Sequence, residues 1–446
     1  LGLKHKKSPG KSFHWPHVSH PKKISISDPV QQVCCALRHT LVLTTTGKLL
    51  SMGTGFWGQL GHGSTDDVNV PTKIKALKMR TILFISCNSF HSAGVAASGR
   101  LFTWGDPKFG RLGRSGNHPA NLPFPVTFPK DSRGKQPRIT KVSCGINYTM
   151  CLTNKGEVYS WGENYCGVLG IGEINSKSHK KKTKKCYFTP QRIKFFEAMK
   201  INKIAAGNYH AIALTKSGDV YSWGQGVFGQ LGHSDPQDLN RPRQIKTLNN
   251  MVIQDVSCGS FYSAACSKDG KVFTWGFNGE FHRLGIGIPP EPIIRMPATV
   301  KALSKKKIRS LSCGYNHMAC VSYNGDLYSW GLGTHGQLGV GLSKCQATPK
   351  RLSLKGKSIV KVSCGAIHTA IIIGFNQAQQ LKLLTSEKQR DKQRIQDLES
   401  KVDSLTQSFS LQSTSSEQNA EGSKLESFIT QEVEDDEMDD DSDVNM

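Results

Sequence analysis

Nowhere along its 446 residues does the chain carry a long apolar run. No segment is therefore read as a membrane-spanning helix, and none as a signal peptide. No glycine-rich phosphate loop leads into a helix, no nucleophile sits in a strand-to-helix elbow, and no carboxylate pair stands out. Hydrolase and transferase chemistry has no site to use, so the chain is read as soluble, intracellular and non-enzymatic, with no cofactor. Acid is scarce as well: 34 Asp and Glu stand against 58 Lys and Arg, for a net charge of +24. The scarcity is uneven. From Phe375 onward 17 acids and 7 bases leave −10, so the portion before it carries +34. A field of that size favours nucleic acid, chromatin, acidic proteins or anionic headgroups. No base-reading motif accompanies it, which leaves only nonspecific contact with nucleic acid.

What is abundant is repetition. An apolar-x-Cys-Gly anchor, with variants, falls at Cys35, Cys87, Cys144, Ala206, Cys258, Cys313 and Cys364, at gaps of 52, 57, 62, 52, 55 and 51 residues. A second anchor, Trp-Gly, falls at Trp104, Trp161, Trp223, Trp275 and Trp330, with Met52-Gly53 in the first copy. A third, G-x-L-G, closes at Gly61, Gly113, Gly170, Gly232 and Gly339, and as H-R-L-G at Gly285. A period near fifty marks a repeat architecture. Each copy offers short alternating runs separated by glycine turns, such as His210 to Leu214, Ser217-Gly218-Asp219 and Val220 to Trp223. Those runs predict antiparallel sheet, and several such sheets packed radially bury faces that one sheet alone leaves exposed. The prediction is an all-β propeller.

The combination C-G-x-x-H/Y, G-x-V-Y-S-W-G and G-Q-L-G resembles the repeats of the regulator of chromosome condensation family, over residues 10 to 374. The resemblance implies a seven-bladed propeller. Seven Cys-Gly anchors meet only six Trp-Gly turns, and Gly10 to Trp15 reads like Gly270 to Trp275. A seventh blade built from both termini is therefore expected, with no unpaired edge left over. The founding member of the family exchanges nucleotide on the GTPase Ran, through a β-wedge in its third-repeat loop. Here the matching loop, Gly162 to Gly167, keeps the ordinary spacing, so the resemblance points to a docking platform before an exchange factor. One plant relative absorbs light with clustered tryptophans, a use that seven Trp, mostly one per blade, argue against.

Six of the thirteen cysteines share one repeat position, and Cys151, Cys266 and Cys320 share another. Spacings near fifty fit no metal-ligand pattern, so these are read as reduced core thiols. His39, His91, His210, His317 and His368 also share one position, with Tyr148 and Tyr262 in the remaining copies. Free exchange with tyrosine excludes a zinc ring, and each ring is expected to be buried and bonded to a neighbouring backbone group.

Function in a propeller sits in its loops. A proline-rich insertion lies between Gly113 and Ile139, and a lysine run occupies 177–185. Lys177, Lys180, Lys181, Lys182, Lys184 and Lys185 resemble a nuclear localisation signal or a patch for an acidic partner, and they make the nucleus the favoured compartment. After residue 374 the texture changes. Leu381, Leu384, Ile395, Leu398, Val402 and Leu405 follow steps of three and four, with Lys388 and Asp391 as polar seam positions. This predicts a coiled coil over 375–409 and a homodimer. Residues 410–446 read as a disordered Ser/Gln-rich and acidic tail, with nine acids between Glu432 and Asp443 that face a basic propeller. Residues 1–9 read as a basic extension, and the chain opens on Leu1 rather than Met, as a fragment would. The expected partners are a small GTPase, a chromatin protein or an importin.

Overall fold

The computed structural model describes residues 20–374 apart from 117, 131, 173–184, 342–343, 353 and 355–356, and beyond them 389, 393, 396–398 and 400–402. The chain separates into two compact units, Leu1–Asn376 and Gln377–Met446. Within the first, each repeat folds as a four-stranded antiparallel sheet whose spatial order follows chain order. The first blade comprises Val30–Cys35, His39–Thr44, Leu49–Gly53 and Val68–Lys73. Five equivalent blades begin at Ile82, Ile139, Ile201, Ile253 and Ile308. Among the described residues Ser358–Cys364 and Thr369–Gly374 form a sheet of two strands, and this sheet packs against both the sixth blade and the first. The expected seventh four-stranded blade is thus corrected to six blades and a two-stranded sheet. Residues 10–15, expected to supply the missing strand, lie outside the described residues.

The sequence pattern follows from where each strand sits. Second strands such as His210–Thr215 are buried at every position, because neighbouring blades cover both of their faces. Outer strands have a free edge and accept proline, which lacks the amide a central strand needs: Pro71, Pro123, Pro190, Pro242, Pro297 and Pro349 all lie there. The Trp-Gly glycine is required by geometry. Gly224 has a φ of 99°, and a Cβ on it would stand 2.5 Å from the Tyr209 carbonyl oxygen. The tryptophan before it reaches backwards into the preceding blade. Trp104 Nε1 donates to the Gln59 carbonyl at 2.9 Å, and Trp161, Trp223, Trp275 and Trp330 repeat the bond to Arg111, Val168, Gln230 and Arg283. The G-x-L-G glycine is the seat of that ring: a Cβ on Gly61 would lie 2.9 Å from Trp104 Nε1.

Two further sets of bonds join the sheets. In the first, His39 Nε2 meets Ser92 Oγ of the next blade at 2.9 Å, and Ser92 passes its own proton to the Gln59 carbonyl. His91 with Thr149 and His210 with Ser263 repeat the relay, so each imidazole donates from Nε2. His317 bonds Thr369 in the two-stranded sheet, and His368 returns to Thr40 of the first blade. Tyr148 and Tyr262 fill the other two places by donating to the His210 and His317 carbonyls. Only the tyrosines follow the expected bond to backbone; the histidines bind hydroxyls. In the second set, inner-strand serines accept the next sheet's amide: Ser86 from Cys144, Ser143 from Ala206, Ser257 from Cys313, Ser312 from Cys364, and Ser363 from Cys35.

In the second unit, helical backbone is described only at 389, 393, 396–398 and 400–402. No coiled coil is seen among these residues, because a heptad seam buries itself only against a second helix. Leu398 and Val402 are 54% and 60% exposed, whereas Leu381, Leu384, Ile395 and Leu405 lie outside the described residues.

Burial pushes the imidazoles of His39, His210 and His317 down to about 3 and that of His368 to about 4. In the unfolded chain each titrates near 6.5. Between pH 6.5 and about 3, or about 4 for His368, the unfolded chain therefore binds protons that the folded chain refuses, and stability falls as pH falls. The expected loss is on the order of 1 kcal/mol per histidine by pH 5.5, read as a lower urea midpoint than at pH 7.5. His210→Gln is expected to flatten that dependence, and a midpoint that does not move with pH counts against neutral relay histidines. A second expectation concerns His282, at φ 53°, where five other blades place glycines such as Gly229 at φ 74°. His282→Gly is expected to raise stability by about 0.5–1 kcal/mol in the same titration, by relieving left-handed backbone.

Candidate functional site

Alternation of turns along four antiparallel strands puts the two kinds of connection at opposite ends of the ring. One end carries the turns between second and third strands, together with the connections from each outer strand to the next inner strand. Among the described residues this end holds 21 lysines and arginines against 5 acids. The other end carries the Cys-Gly loops and the loops closing in G-x-L-G, and its described residues balance at 7 against 7.

The basic end has a repeated cause. Four of the six outer strands are followed by an apolar residue that turns into a short 3-10 helix opening on lysine: Lys75, Lys194, Lys246 and Lys301. The leucine or phenylalanine two residues later is buried, at Leu77, Phe196, Leu248 and Leu303, and it pins the turn while the lysine stays exposed. Lys78 and Arg80 extend one such turn, and Lys305, Lys306 and Lys307 another, all exposed. Several of the acids here are already answered. Glu157 and Glu197 pair with Arg192 at 3.0 and 3.2 Å, Asp326 with Arg351 at 2.7 Å, and Asp269 with Lys271 at 3.0 Å. A depression of about 360 Å³ opens beside Lys200, Lys216 and Tyr221.

The balanced end is aromatic. Trp57 meets Phe90 edge-on at 6.3 Å, Tyr165 meets Tyr209 at 5.2 Å, and Phe228 meets Phe261 at 4.9 Å, each pair bridging neighbouring blades. Phe56 is 64% exposed at its rim. Arg111 and Arg283, standing where three other turns have glutamine and one has Val168, are buried and lie over phenylalanine rings, Arg111 over Phe90 and Arg283 over Phe277. On the axis, the inner strands enclose a cavity of about 280 Å³ lined by Cys34, Cys35, Cys87 and their counterparts.

Of the lysine run, Lys177, Lys180, Lys181, Lys182 and Lys184 lie outside the described residues. Lys185 is exposed and stands 4.9 Å over the Tyr187 ring. The ring histidines do not converge, since each Nε2 is committed to the next sheet. Among the described residues no group of three or more His, Cys, Asp or Glu is placed to hold a metal ion, and no helix is long and apolar enough to cross a membrane. None of the cysteines is in a disulfide, and Cys151, Cys266 and Cys320 are fully buried. The five tryptophans of the Trp-Gly anchors are likewise fully buried, one to each of the second to sixth blades. Sequence reasoning missed the basic end. Its signal was a lysine recurring in four repeats just after the outer strand, less visible than six lysines in nine residues.

A model of the RCC1-like domain matches residues 1–371. The ultraviolet-B receptor UVR8 of Arabidopsis thaliana is 32% identical over 358 residues, covering 80% of this chain and 76% of that protein. The protein RCC2 homolog of Danio rerio is 30% identical over 387 residues, with 83% and 73% covered. The Homo sapiens E3 ubiquitin-protein ligase HERC2 is 31% identical over 332 residues, but the match spans 6% of its length. Among solved structures, human WBSCR16 superposes with a TM-score of 0.69 at 21% identity, covering 80% of this chain and 90% of that one. Prp20p of Saccharomyces cerevisiae gives 0.64 at 21%, with 81% and 86% covered. At such identities the two structures speak for the fold alone. The chain belongs to the RCC1-like domain family.

Proposed function

We propose that this chain is a non-catalytic docking propeller whose basic end binds an acidic partner, a chromatin-associated protein or a component of a small-GTPase pathway. The observation that carries the reading is the charge difference between the two ends. Propeller repeats share their core, and 21 bases against 5 acids among the described residues of one end, beside 7 against 7 at the other, is a property of the loops. Such a surface steers an anionic partner and weakens with salt. Prp20p has been studied for binding to Gsp1p and histones, and yeast RCC1 in complex with Kap60; those classes are the first to test. The third-blade turn at Tyr165–Gly167 is a short 3-10 helix like the one at Lys108–Gly110, which favours docking over exchange by a wedge. A nuclear address in the lysine run and self-association along the seam of Leu398 and Val402 belong to the same proposal. The exposure of those two seam residues supports the second.

The test is a pull-down from cell extract at physiological salt, probed for histones, importins and small GTPases, with Lys305→Glu/Lys306→Glu/Lys307→Glu beside the unaltered chain. About tenfold less retained partner is expected from the charge reversal, with GDP release from a Ran-like GTPase left at its intrinsic rate. A many-fold faster release favours an exchange factor and overturns the docking assignment. In sedimentation, the full chain is expected as a dimer and Leu398→Lys/Val402→Lys as a monomer. Equal mass for both removes the seam from the proposal.

A further inference from the structure

Five of the seven junctions between inner strands are clamped by a serine hydroxyl that accepts the next sheet's amide, at 2.8–3.0 Å. Between the fourth and fifth blades the place is held by Ala205 and the clamp is absent; Cys258 Sγ instead donates to the Ala205 carbonyl at 3.5 Å. Between the first and second blades the place is held by a thiol. Cys34 Sγ accepts the Cys87 amide at 3.2 Å, and Cys87 Sγ lies 3.3 Å from the Cys34 carbonyl oxygen, to which it donates. Both side chains thus turn into the same junction from opposite strands. Both line the axial cavity, Cys87 buried and Cys34 half-buried. The hydrogen bond from the Cys87 thiol lowers the pKa of Cys34, while burial pushes Cys87 up. The neighbouring Cys35 thiol, turned toward the two-stranded sheet, is pushed up to about 12 by burial. A thiol of lowered pKa reached from a cavity, beside a second thiol held as its partner, is the arrangement of a reactive and a resolving cysteine.

We propose that Cys34 and Cys87 form a site of reversible oxidation by hydrogen peroxide, closing a disulfide between the first and second blades. The Cys34 thiolate attacks the peroxide oxygen, the O–O bond breaks, and Cys34 becomes a sulfenic acid as the first water leaves. The Cys87 thiol, losing its proton, then attacks the Cys34 sulfur and expels the sulfenic oxygen as the second water. Two thiols lose two electrons, and one peroxide is reduced to two waters. The site does not depend on what docks at the basic end.

The test uses the full chain treated with hydrogen peroxide, alkylated and digested with trypsin without reduction. The expected product joins peptide 24–38 to peptide 81–100, two hydrogens lighter than the sum, and it disappears after dithiothreitol. Peptide 81–100 holds Cys87 as its one cysteine, whereas 24–38 holds both Cys34 and Cys35. Cys35→Ser is therefore expected to keep the link and Cys34→Ser to lose it. Cys34→Ser restores the hydroxyl found at five sister junctions and is expected to unfold at an unchanged or higher urea midpoint. Cys87→Ala, lacking the resolving thiol, is expected to trap the sulfenic acid as a dimedone adduct on Cys34. A link that survives Cys34→Ser overturns the assignment. So does oxidation of Cys166 or Cys345 while Cys34 stays reduced, or a Cys34 adduct in the unaltered chain without the cross-link.

Discussion

A ring of sheets has one constraint that an open stack lacks: its last junction must be as good as its first. The structure meets it with one junction, used repeatedly. A tryptophan indole and a Ser or Thr hydroxyl from one blade converge on the same carbonyl of the blade before it, as Trp104 and Ser92 do on Gln59. The hydroxyl also receives a histidine. Each of these bonds contributes about 1 kcal/mol at most, but they lie in buried seams where an unpaired partner costs more than the bond yields. The closing contacts, Ser363 to Cys35 and His368 to Thr40, span 328 positions and use the serine clamp and histidine–hydroxyl bond found at other junctions. Because the entropy of closing a loop grows only logarithmically with its length, distance along the chain is a weak penalty. Uniform junctions are what make the ring possible, and they explain why the anchors recur.

Much of this was legible because the anchors and the junctions are the same residues. Cys-Gly, His or Tyr, Trp-Gly and G-x-L-G could be placed on strands and turns from spacing alone. What escaped is what spacing does not encode. The serine two positions before each Cys-Gly glycine looks like an unremarkable polar residue until a neighbouring amide is seen to need it. The histidine was read as bonding backbone, whereas its partner lies one blade away at an equivalent strand position. The blade count failed at the termini, where Gly10 to Trp15 resembles a repeat half but lies outside the described residues. Of the expected heptad seam only Leu398 and Val402 are among the described residues, and both are exposed.

The same uniformity pushes function outward. With strands committed to their neighbours on both faces, only the ends are free to vary, and here they vary in opposite ways. At the basic end a buried leucine or phenylalanine holds each 3-10 turn and leaves the preceding lysine in water, so positive charge recurs at a fixed radius. At the balanced end half-buried rings pair across the seams, which suits contact by shape and area rather than long-range field. Steering depends on ionic strength within about 8 Å at physiological salt, whereas aromatic contact does not. A partner engaging both ends in turn would show both behaviours.

Departures from the repeat's own consensus are informative only when their structural cost is considered. Arg111 and Arg283 replace a glutamine whose side-chain oxygen caps a turn amide, as Gln59 does for Trp57. Both arginines are fully answered. Arg111 bonds Asp106 at 3.1 Å and Asn147 at 2.8 Å, and Arg283 bonds Asn316 at 2.8 Å, so the substitution is absorbed into packing. Cys34 is different. Ala205 shows that a junction holds without the inner-strand clamp, and five serines show what the clamp uses when it is present. A thiol is a weaker acceptor than a hydroxyl, so the clamp alone gives no reason for sulfur at that position. What sulfur supplies and oxygen does not is reaction with the thiol it already touches.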